Sequence, residues 1–353
     1  MTSNLANIAP LRIGLAGFGL IGRRRAQIAA ADSRVQLAGI ADPSPVARLE
    51  AAALYKVPVD ADARKLLRRP LDVLLVAAPN VQAVPIAVAA LRRGLHVLME
   101  KPPGANLGQC RRLCSAAETS GRILKFGFNH RYHPAVARLA QSVRAGDIGK
   151  IINLRVRYGH GGRPGYDQEW RGQARLSGGG ELLDQGVHLL DLLHWLLGMP
   201  DSVYAELQTA VWPVQPLEDN AFALLHYPGG AVASLHSSWT QWKNLFSLEV
   251  FGETGSLIVE GLGGSYGPET LLHHRRRPAG GPPETTSAEF QGPDSSWQLE
   301  WEDFMNAMQH RAPYLGAPAE AMAVMQVLDR LRSSARLRRR LPIAVAQAAA
   351  AAV

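Results

Sequence analysis

Apolar positions along this chain recur in two rhythms, and the change from one to the other divides it. From residue 11 to 128, short apolar runs alternate with stretches of helical period. Strands are predicted at 11–16, 35–41, 72–77, 96–99 and 122–128. Helices are predicted at 23–31, 44–54, 61–68 and 82–93, and a further one reaches Ser120 from an N-cap at Asn106 with Gln109 as its capping-box partner. Such alternation predicts a parallel, doubly wound α/β sheet. After a helix from Pro134 to Arg144 the period falls to two. Strands are predicted at 151–158, 203–212, 220–227, 231–240, 245–251, 256–260 and 270–274, with Pro228-Gly-Gly230 and Gly252-Glu-Thr-Gly255 as hairpin turns. The second half is therefore an α/β domain built on a large open, mostly antiparallel sheet, one face covered by helix and the other free for a subunit interface.

Between the first two strands of that sheet lies Ser177 to Gly198. Leu182, Leu183, Val187, Leu190, Leu193, Leu196 and Leu197 recur at helical spacing after three glycines, and Gly198 before Pro200 is a stop. One continuous helix is predicted. Asp184, His188 and Asp191 fall at i, i+4 and i+7, so they project from one side with the imidazole between two carboxylates. A histidine so placed either satisfies a polar neighbour or serves as a general base near neutral pH. The choice turns on whether the chain supplies a reactant.

The amino-terminal third supplies one. A strand runs directly into Gly17-Phe-Gly-Leu-Ile-Gly22 and then into a helix. Gly17 allows the tight turn, Gly19 lets the backbone approach a pyrophosphate, Gly22 lets helix and strand pack closely, and the helix N-terminus faces the anion. The cofactor-binding set is thus Gly17, Phe18, Gly19, Leu20, Ile21 and Gly22. Asp42 ends the second strand twenty residues past Gly22, where a carboxylate accepts hydrogen bonds from an adenosine ribose and repels a 2′-phosphate. NAD is expected over NADP, with Arg23 and Arg24 the residues that would soften the preference. Ala78, Pro79 and Asn80 follow another strand's carboxyl end, the edge where such sheets hold ligands. Glu100 and Lys101 are delivered to the same edge, and Pro102 restricts the backbone of Lys101.

Bulk properties set limits. The 353 residues, 47% hydrophobic and 19% charged, suit two domains. The formal charge of +8 comes largely from short, scattered arginine runs without interleaved aromatics, which argues against nucleic acid as a partner. Two cysteines, Cys110 and Cys114, form neither a metal motif nor a disulfide framework, so no metal is expected and a reducing compartment fits. The first ten residues lack the pattern of a secretory leader, and no apolar run reaches about 18 residues, so a cytoplasmic protein without membrane insertion is expected. Residues 261–296, rich in Gly and Pro, read as a mobile excursion with one short strand. Helices follow at about 296–311 and 318–334; the second starts with Pro at N1, carries Met322, Met325, Leu328 and Leu331 on one stripe, and is expected to pack back on the first domain. The Ala-rich tail after Ile343 reads as frayed. The expected domains are 1–128 for dinucleotide binding, with residues 318–343 packing on it, and 129–317 for substrate binding and oligomerisation.

Gly17-Phe-Gly-Leu-Ile-Gly22, Asp42-Pro43, Ala78-Pro-Asn80, Glu100-Lys-Pro102, Trp170-Arg171 and Gly178-Gly-Gly-Glu-Leu-Leu-Asp-Gln-Gly-Val-His188, in this order, resemble the Gfo/Idh/MocA family of NAD(P)-dependent oxidoreductases. The resemblance implies a Rossmann domain followed by an open-sheet domain through which dimers or tetramers form. It implies that Lys101, Asp184 and His188 line a sugar or cyclitol site and carry the catalysis, and that Trp170 and Arg171 touch the cofactor. Ala83 departs from the histidine many relatives have there. Asn129, Glu100 and Lys101 complete the cofactor set, and Arg131 and Tyr158 join Lys101, Asp184 and His188 around the substrate. Arg157 to Arg163, Glu218 to Asn220, Ser238 to Asn244 and Gly261 to Tyr266 resemble a subgroup found with cell-surface glycan and sugar-modifying natural-product genes. The implied activity is NAD-dependent oxidation of a secondary ring hydroxyl, with C3 the candidate carbon, on a pyranose, nucleotide sugar or amino sugar. Glu181, Asp191, Glu218 and Asp219 are candidates to read a substrate amine, and Arg131, Arg157 or Arg163 a phosphate. Two alternatives are a glycoside-cleaving enzyme that uses NAD for transient oxidation and a non-catalytic NAD(H)-binding regulator.

Overall fold

The computed structural model describes residues 9–343; the Ala-rich tail after Ile343 lies outside the described residues. The chain forms two compact units, one of residues up to 104 with 108–127 and 301–318, the other of 105–107, 128–300 and those after 318.

The first unit is built on β1 (Leu11–Ala16), β2 (Val35–Ala41), β3 (Val59–Asp60), β4 (Val73–Val76), β5 (His96–Glu100) and β6 (Leu124–Gly127). Their order is β3-β2-β1-β4-β5-β6 and every pairing is parallel. Val73, Leu74, Leu75 and Val76 of β4 are all buried, as expected of a strand covered on both faces. Helices Leu20–Ala31, Pro45–Tyr55, Asn80–Arg92 and Leu107–Ser120 match the predicted ones closely at their ends. Strand order reverses between β1 and β4, which makes the carboxyl ends of those strands the switch point where such sheets take ligands. The two-residue β3 was not foreseen, since two residues carry no period; the helix expected at 61–68 contracts to Ala63–Leu66, capped by the Asp62 carboxylate on the Arg64 N–H at 2.8 Å.

The second unit carries β7 (Ile151–Gly159), β8 (Ser202–Gln208), β9 (Asn220–His226), β10 (Val232–Ser238), β11 (Leu245–Gly252), β12 (Gly255–Glu260), β13 (Glu269–Arg275), β14 (Glu284–Phe290) and β15 (Leu341–Pro342). Their order is β14-β13-β12-β11-β7-β10-β9-β8-β15; only β7 with β10 is parallel. Burial alternates along the central strands: Leu154, Val156 and Tyr158 of β7 and Ala221, Ala223 and Leu225 of β9 are buried, while Arg155, Phe222 and Leu224 are exposed. The helix Gly186–Leu197 packs on β7 and β10, and the helix Pro134–Ala145 on β12, β13 and β14.

Three expectations are corrected. Residues 261–296 hold a hairpin, because Glu284–Phe290 pairs along β13 from Glu269↔Phe290 to Arg275↔Glu284. That strand is polar and exposed almost throughout, so backbone pairing makes it and no apolar period announces it. The predicted continuous helix 177–198 is interrupted: Glu181–Asp184 and Gly186–Leu197 are separated at Gln185. From Ala319 on, the helix Pro318–Leu337 belongs to the second unit rather than the first: Ser334 Oγ accepts the Ala205 N–H at 3.2 Å, and the chain beyond the helix adds β15 beside β8. An apolar stripe states that a helix face is buried but not what buries it. The carboxyl-terminal residues that do join the first unit are 301–318, through Trp301, Phe304 and Met305 in its core and the Trp301 Nε1–H donated to Asp32 at 2.8 Å.

Candidate active site

In the first unit, Gly17 has φ +96°, and a Cβ there would lie 2.5 Å from the Ala77 carbonyl oxygen; at Gly22 it would lie 2.0 Å from the Gly17 carbonyl oxygen. Both glycines are required by close backbone approach. Gly19 differs: a Cβ there would meet nothing within 4 Å, and no side chain caps the helix it opens. The open space and the unshared amides of a helix N-terminus fit a dinucleotide pyrophosphate. Phe18 offers only backbone to a ligand, since its ring is buried against Tyr55. Leu20 is 81% exposed at the mouth of the loop, with Ile21 beside it partly buried. Asp42 accepts the Phe18 N–H at 2.7 Å and the Ser44 N–H at 2.8 Å, so the carboxylate both shapes the loop and marks the end of β2. Arg23 is paired with Glu50, Nε to Oε1 at 2.7 Å, so that guanidinium is already engaged.

Pro79 precedes the helix Asn80–Arg92, and Asn80 and Ala83 are buried in its first turn. At the next strand end, Glu100 does not simply face a ligand: it forms an ion pair with Arg25, Nε to Oε1 at 2.7 Å, in which the arginine side chain is 1% exposed. This pair, absent from the expected site, anchors the segment that leads into Lys101. Gly127 leaves room for it, since a Cβ there would lie 2.9 Å from Glu100 Oε2.

In the second unit, Gly180 and Gly186 are needed for close contact rather than pliancy alone. A Cβ at Gly180 would lie 2.2 Å from the Glu218 carbonyl oxygen and one at Gly186 2.9 Å from Ser237 Oγ. Glu218 then caps the short helix: its carbonyl accepts the Glu181 N–H at 3.0 Å and its carboxylate the Leu182 N–H at 3.1 Å. Burial pushes the Glu218 carboxyl above its usual range, and burial lowers Arg332 nearby.

The imidazole of His188 is buried among rings. Its centroid is 3.7 Å from that of His130, 6.2 Å from Phe128 and 6.3 Å from Tyr158. Tyr158 packs on Tyr266 at 4.9 Å, and Gln185 Nε2 donates to the Tyr266 hydroxyl at 3.1 Å. The Gln185 Oε1 is buried without a hydrogen-bond partner among the described residues. Burial, with Tyr266 and the charges of Asp184 and Glu181, raises the Tyr158 phenol well above its usual value, so it remains protonated at neutral pH. Asp184 accepts from Arg171 Nε at 3.1 Å, and Arg171 stacks over Trp170 at 4.5 Å. Burial works against the Arg171 charge, but Asp184 outweighs it and the pKa rises.

The i, i+4, i+7 set therefore splits into separate tasks. Asp191 is committed to Arg131, at 2.6 and 2.7 Å, with both side chains fully buried, and Arg131 also engages Glu320 and lies over Trp195. Arg131, expected at the substrate, is thus a structural cation. Asn129, expected at the cofactor, donates to Ser296 Oγ at 3.0 Å. Asp219 accepts three backbone N–H groups, from Ala210, Val211 and Trp212, and holds a loop rather than an amine. Arg163 is bidentate to Glu169, and Arg157 lies beside Ser247 at 3.3 Å. The residues sequence reasoning missed are Arg25, His130, Gln185 and Tyr266. Within Asn129-His-Arg-Tyr132, nothing in the sequence singles out the histidine.

Residues 11–128 match the model of the oxidoreductase family with NAD-binding Rossmann fold, and residues 136–258 match the GFO/IDH/MocA C-terminal domain. Together the matches span more than half of the chain, which belongs to the Gfo/Idh/MocA family of oxidoreductases. It is 26% identical over 248 residues to levoglucosan dehydrogenase of Pseudarthrobacter phenanthrenivorans, covering 62% of this chain and 63% of that protein. It is 28% identical over 251 residues to D-glucoside 3-dehydrogenase of Escherichia coli, covering 65% of this chain and 71% of the relative. The chain thus spans less than two thirds of the first of these relatives. In fold it is similar to a levoglucosan dehydrogenase solved with NADH and levoglucosan, with a TM-score of 0.85, 23% identity, and coverage of 96% of this chain and 100% of the other. Among the described residues, no helix is long and apolar enough to cross a membrane.

Proposed function

We propose that this protein is an NAD-dependent dehydrogenase that oxidises a secondary ring hydroxyl of a pyranose, nucleotide sugar or amino sugar to a ketone. The observation that carries the reading is the open cradle at Gly19, at the carboxyl edge of the parallel sheet, with Lys101 following β5 at that same edge. The nicotinamide, when bound, supplies the hydride acceptor. His188 takes the hydroxyl proton, with Asp184 orienting it and Arg171 offsetting the carboxylate's charge. Lys101 donates to the same oxygen as negative charge develops there. Tyr158, kept protonated, and Gln185, with an acceptor to spare, read neighbouring hydroxyls. Similarity to D-glucoside 3-dehydrogenase favours C3 as the carbon.

Asp42 beside the glycine loop favours NAD over NADP, and the engagement of Arg23 by Glu50 removes one cation that would accept a 2′-phosphate. The exposed sheet face bearing Phe222 and Leu224 is the surface we assign to a second copy of the chain, tested by sedimentation of Leu224→Glu. Turnover is tested by NADH absorbance against a panel of sugars. His188→Ala should lower kcat by roughly a hundredfold with little change in NAD affinity. Near-normal turnover in that variant, with none in Lys101→Ala, would assign the base role to Lys101. Release of free sugar without NADH would favour glycoside cleavage by transient oxidation, and NAD binding without turnover would favour a regulator.

A further inference from the structure

The segment Asn129–Tyr132 carries His130, which has no part in the mechanism above. Its ring stands at 85° to that of His188 with centroids 3.7 Å apart. Phe246 of β11 stacks on it at 5.8 Å and 9°, His133 at 5.8 Å and 28°, and Tyr158 of β7 meets it edge-on at 5.0 Å. His133 is itself held: its Nδ1 lies 3.0 Å from Glu269 Oε2 of β13, and its Nε2 lies 3.9 Å from Asp294. The Ala135 N–H at 2.7 Å and the Gly263 N–H at 3.3 Å anchor the same Glu269 carboxylate. Burial opposes the Glu269 charge, but His133 and these amides outweigh it, so its carboxyl lies below the usual range. The column thus runs from a fixed anion through two imidazoles to the ring assigned the proton in the proposed reaction. The Tyr158 phenol, raised by burial, also faces His130.

We infer that His130 is a positioning residue for His188: it fixes the plane of that ring and couples its protonation to the column formed with His133 and Glu269. The inference rests on the reading in which His188 accepts the substrate proton. Two imidazoles this close cannot gain charge independently, so they titrate as a pair. Tyr158 and Phe246 pack on His130 and hold the ring that meets His188.

Imidazole-detected NMR of the full chain, without NAD or sugar, tests this between pH 5 and 9. His188 signals are assigned by their loss in His188→Asn. In the wild type they should follow two coupled steps; in His130→Phe they should follow one. His133→Gln, which breaks the pair with Glu269 and leaves both other rings in place, should move the same His188 midpoint and serves as the second probe if His130→Phe does not fold. In sugar turnover, His130→Phe should lower kcat at least tenfold with KM for NAD unchanged and alter the acid limb of the pH–kcat profile. Identical His188 titration in wild type and both variants would overturn the inference and reduce His130 to packing. The NMR needs no substrate, so absence of sugar oxidation by the wild type would count against the proposed activity, while the coupling of His130 to His188 would still stand or fall on the titration.

Discussion

Replacing Asp191 with Asn removes the anion from a guanidinium that has no access to water. Arg131 and Asp191 are both fully buried and joined by two hydrogen bonds, with Glu320 on a third nitrogen and Trp195 against the cation. Deleting one partner of a buried pair costs about 3–5 kcal/mol, because the remaining charge stays desolvated. Glu320 still compensates and the amide still accepts one hydrogen bond, which puts Asp191→Asn near ~3 kcal/mol. At roughly 2–4 °C per kcal/mol for a cooperative unit of this size, Tm should fall by about 6–12 °C in a thermal melt followed by circular dichroism. The double variant Arg131→Met with Asp191→Leu removes both charges and should recover most of the loss. Asp191 lies one turn beyond His188, so kcat of the single variant should fall well before unfolding while KM for the sugar holds. A variant that melts with the wild type but shows a raised sugar KM would refute the reasoning and return Arg131 to the substrate.

Other expectations follow from the same geometry. Gly19→Ala should fold with an unchanged Tm yet weaken NAD binding at least tenfold by calorimetry, since the methyl group occupies only ligand space; Gly22→Ala should lower Tm as well, because its methyl meets the Gly17 carbonyl. Equal melting of the two variants would contradict this. Asp42→Ser should narrow the ratio of NAD to NADP in kcat/KM, and an unaltered ratio would remove Asp42 from cofactor choice. Burial opposes ionisation of Asp219, but the amides of Ala210, Trp212 and Val211 outweigh it and lower its pKa. The folded value lies below the unfolded one, so the stability is present above about pH 4 and lost as pH falls through the lowered value. Urea midpoints of wild type and Asp219→Asn should therefore converge between pH 7 and 3, and a constant gap would sink the assignment.

How much was legible depended on how local the cause was. β1, β2 and the glycine loop between strand and helix were readable because each needs only a short apolar run and three glycines at set spacing. β14 was not, since a polar exposed strand exists only by pairing with β13. Lys101 was readable as a residue at a strand's end, whereas Arg25, its indirect support through Glu100, stands 75 residues away and looked like part of an arginine run. Asp191 looked equivalent to Asp184 by helical spacing. Which of the two was spoken for by Arg131 was a matter of partners, not of period.

From the chain alone came the doubly wound half, the mostly antiparallel half, and the residue types at the strand ends and on the glycine-led helix, since backbone sterics and apolar period act over a few neighbours. Only the folded structure assigned partners: which carboxylate holds a loop, which arginine is structural, and that a second imidazole stands against His188. Charges and hydrogen bonds act at a few ångströms in space, and distance along the chain does not measure that separation.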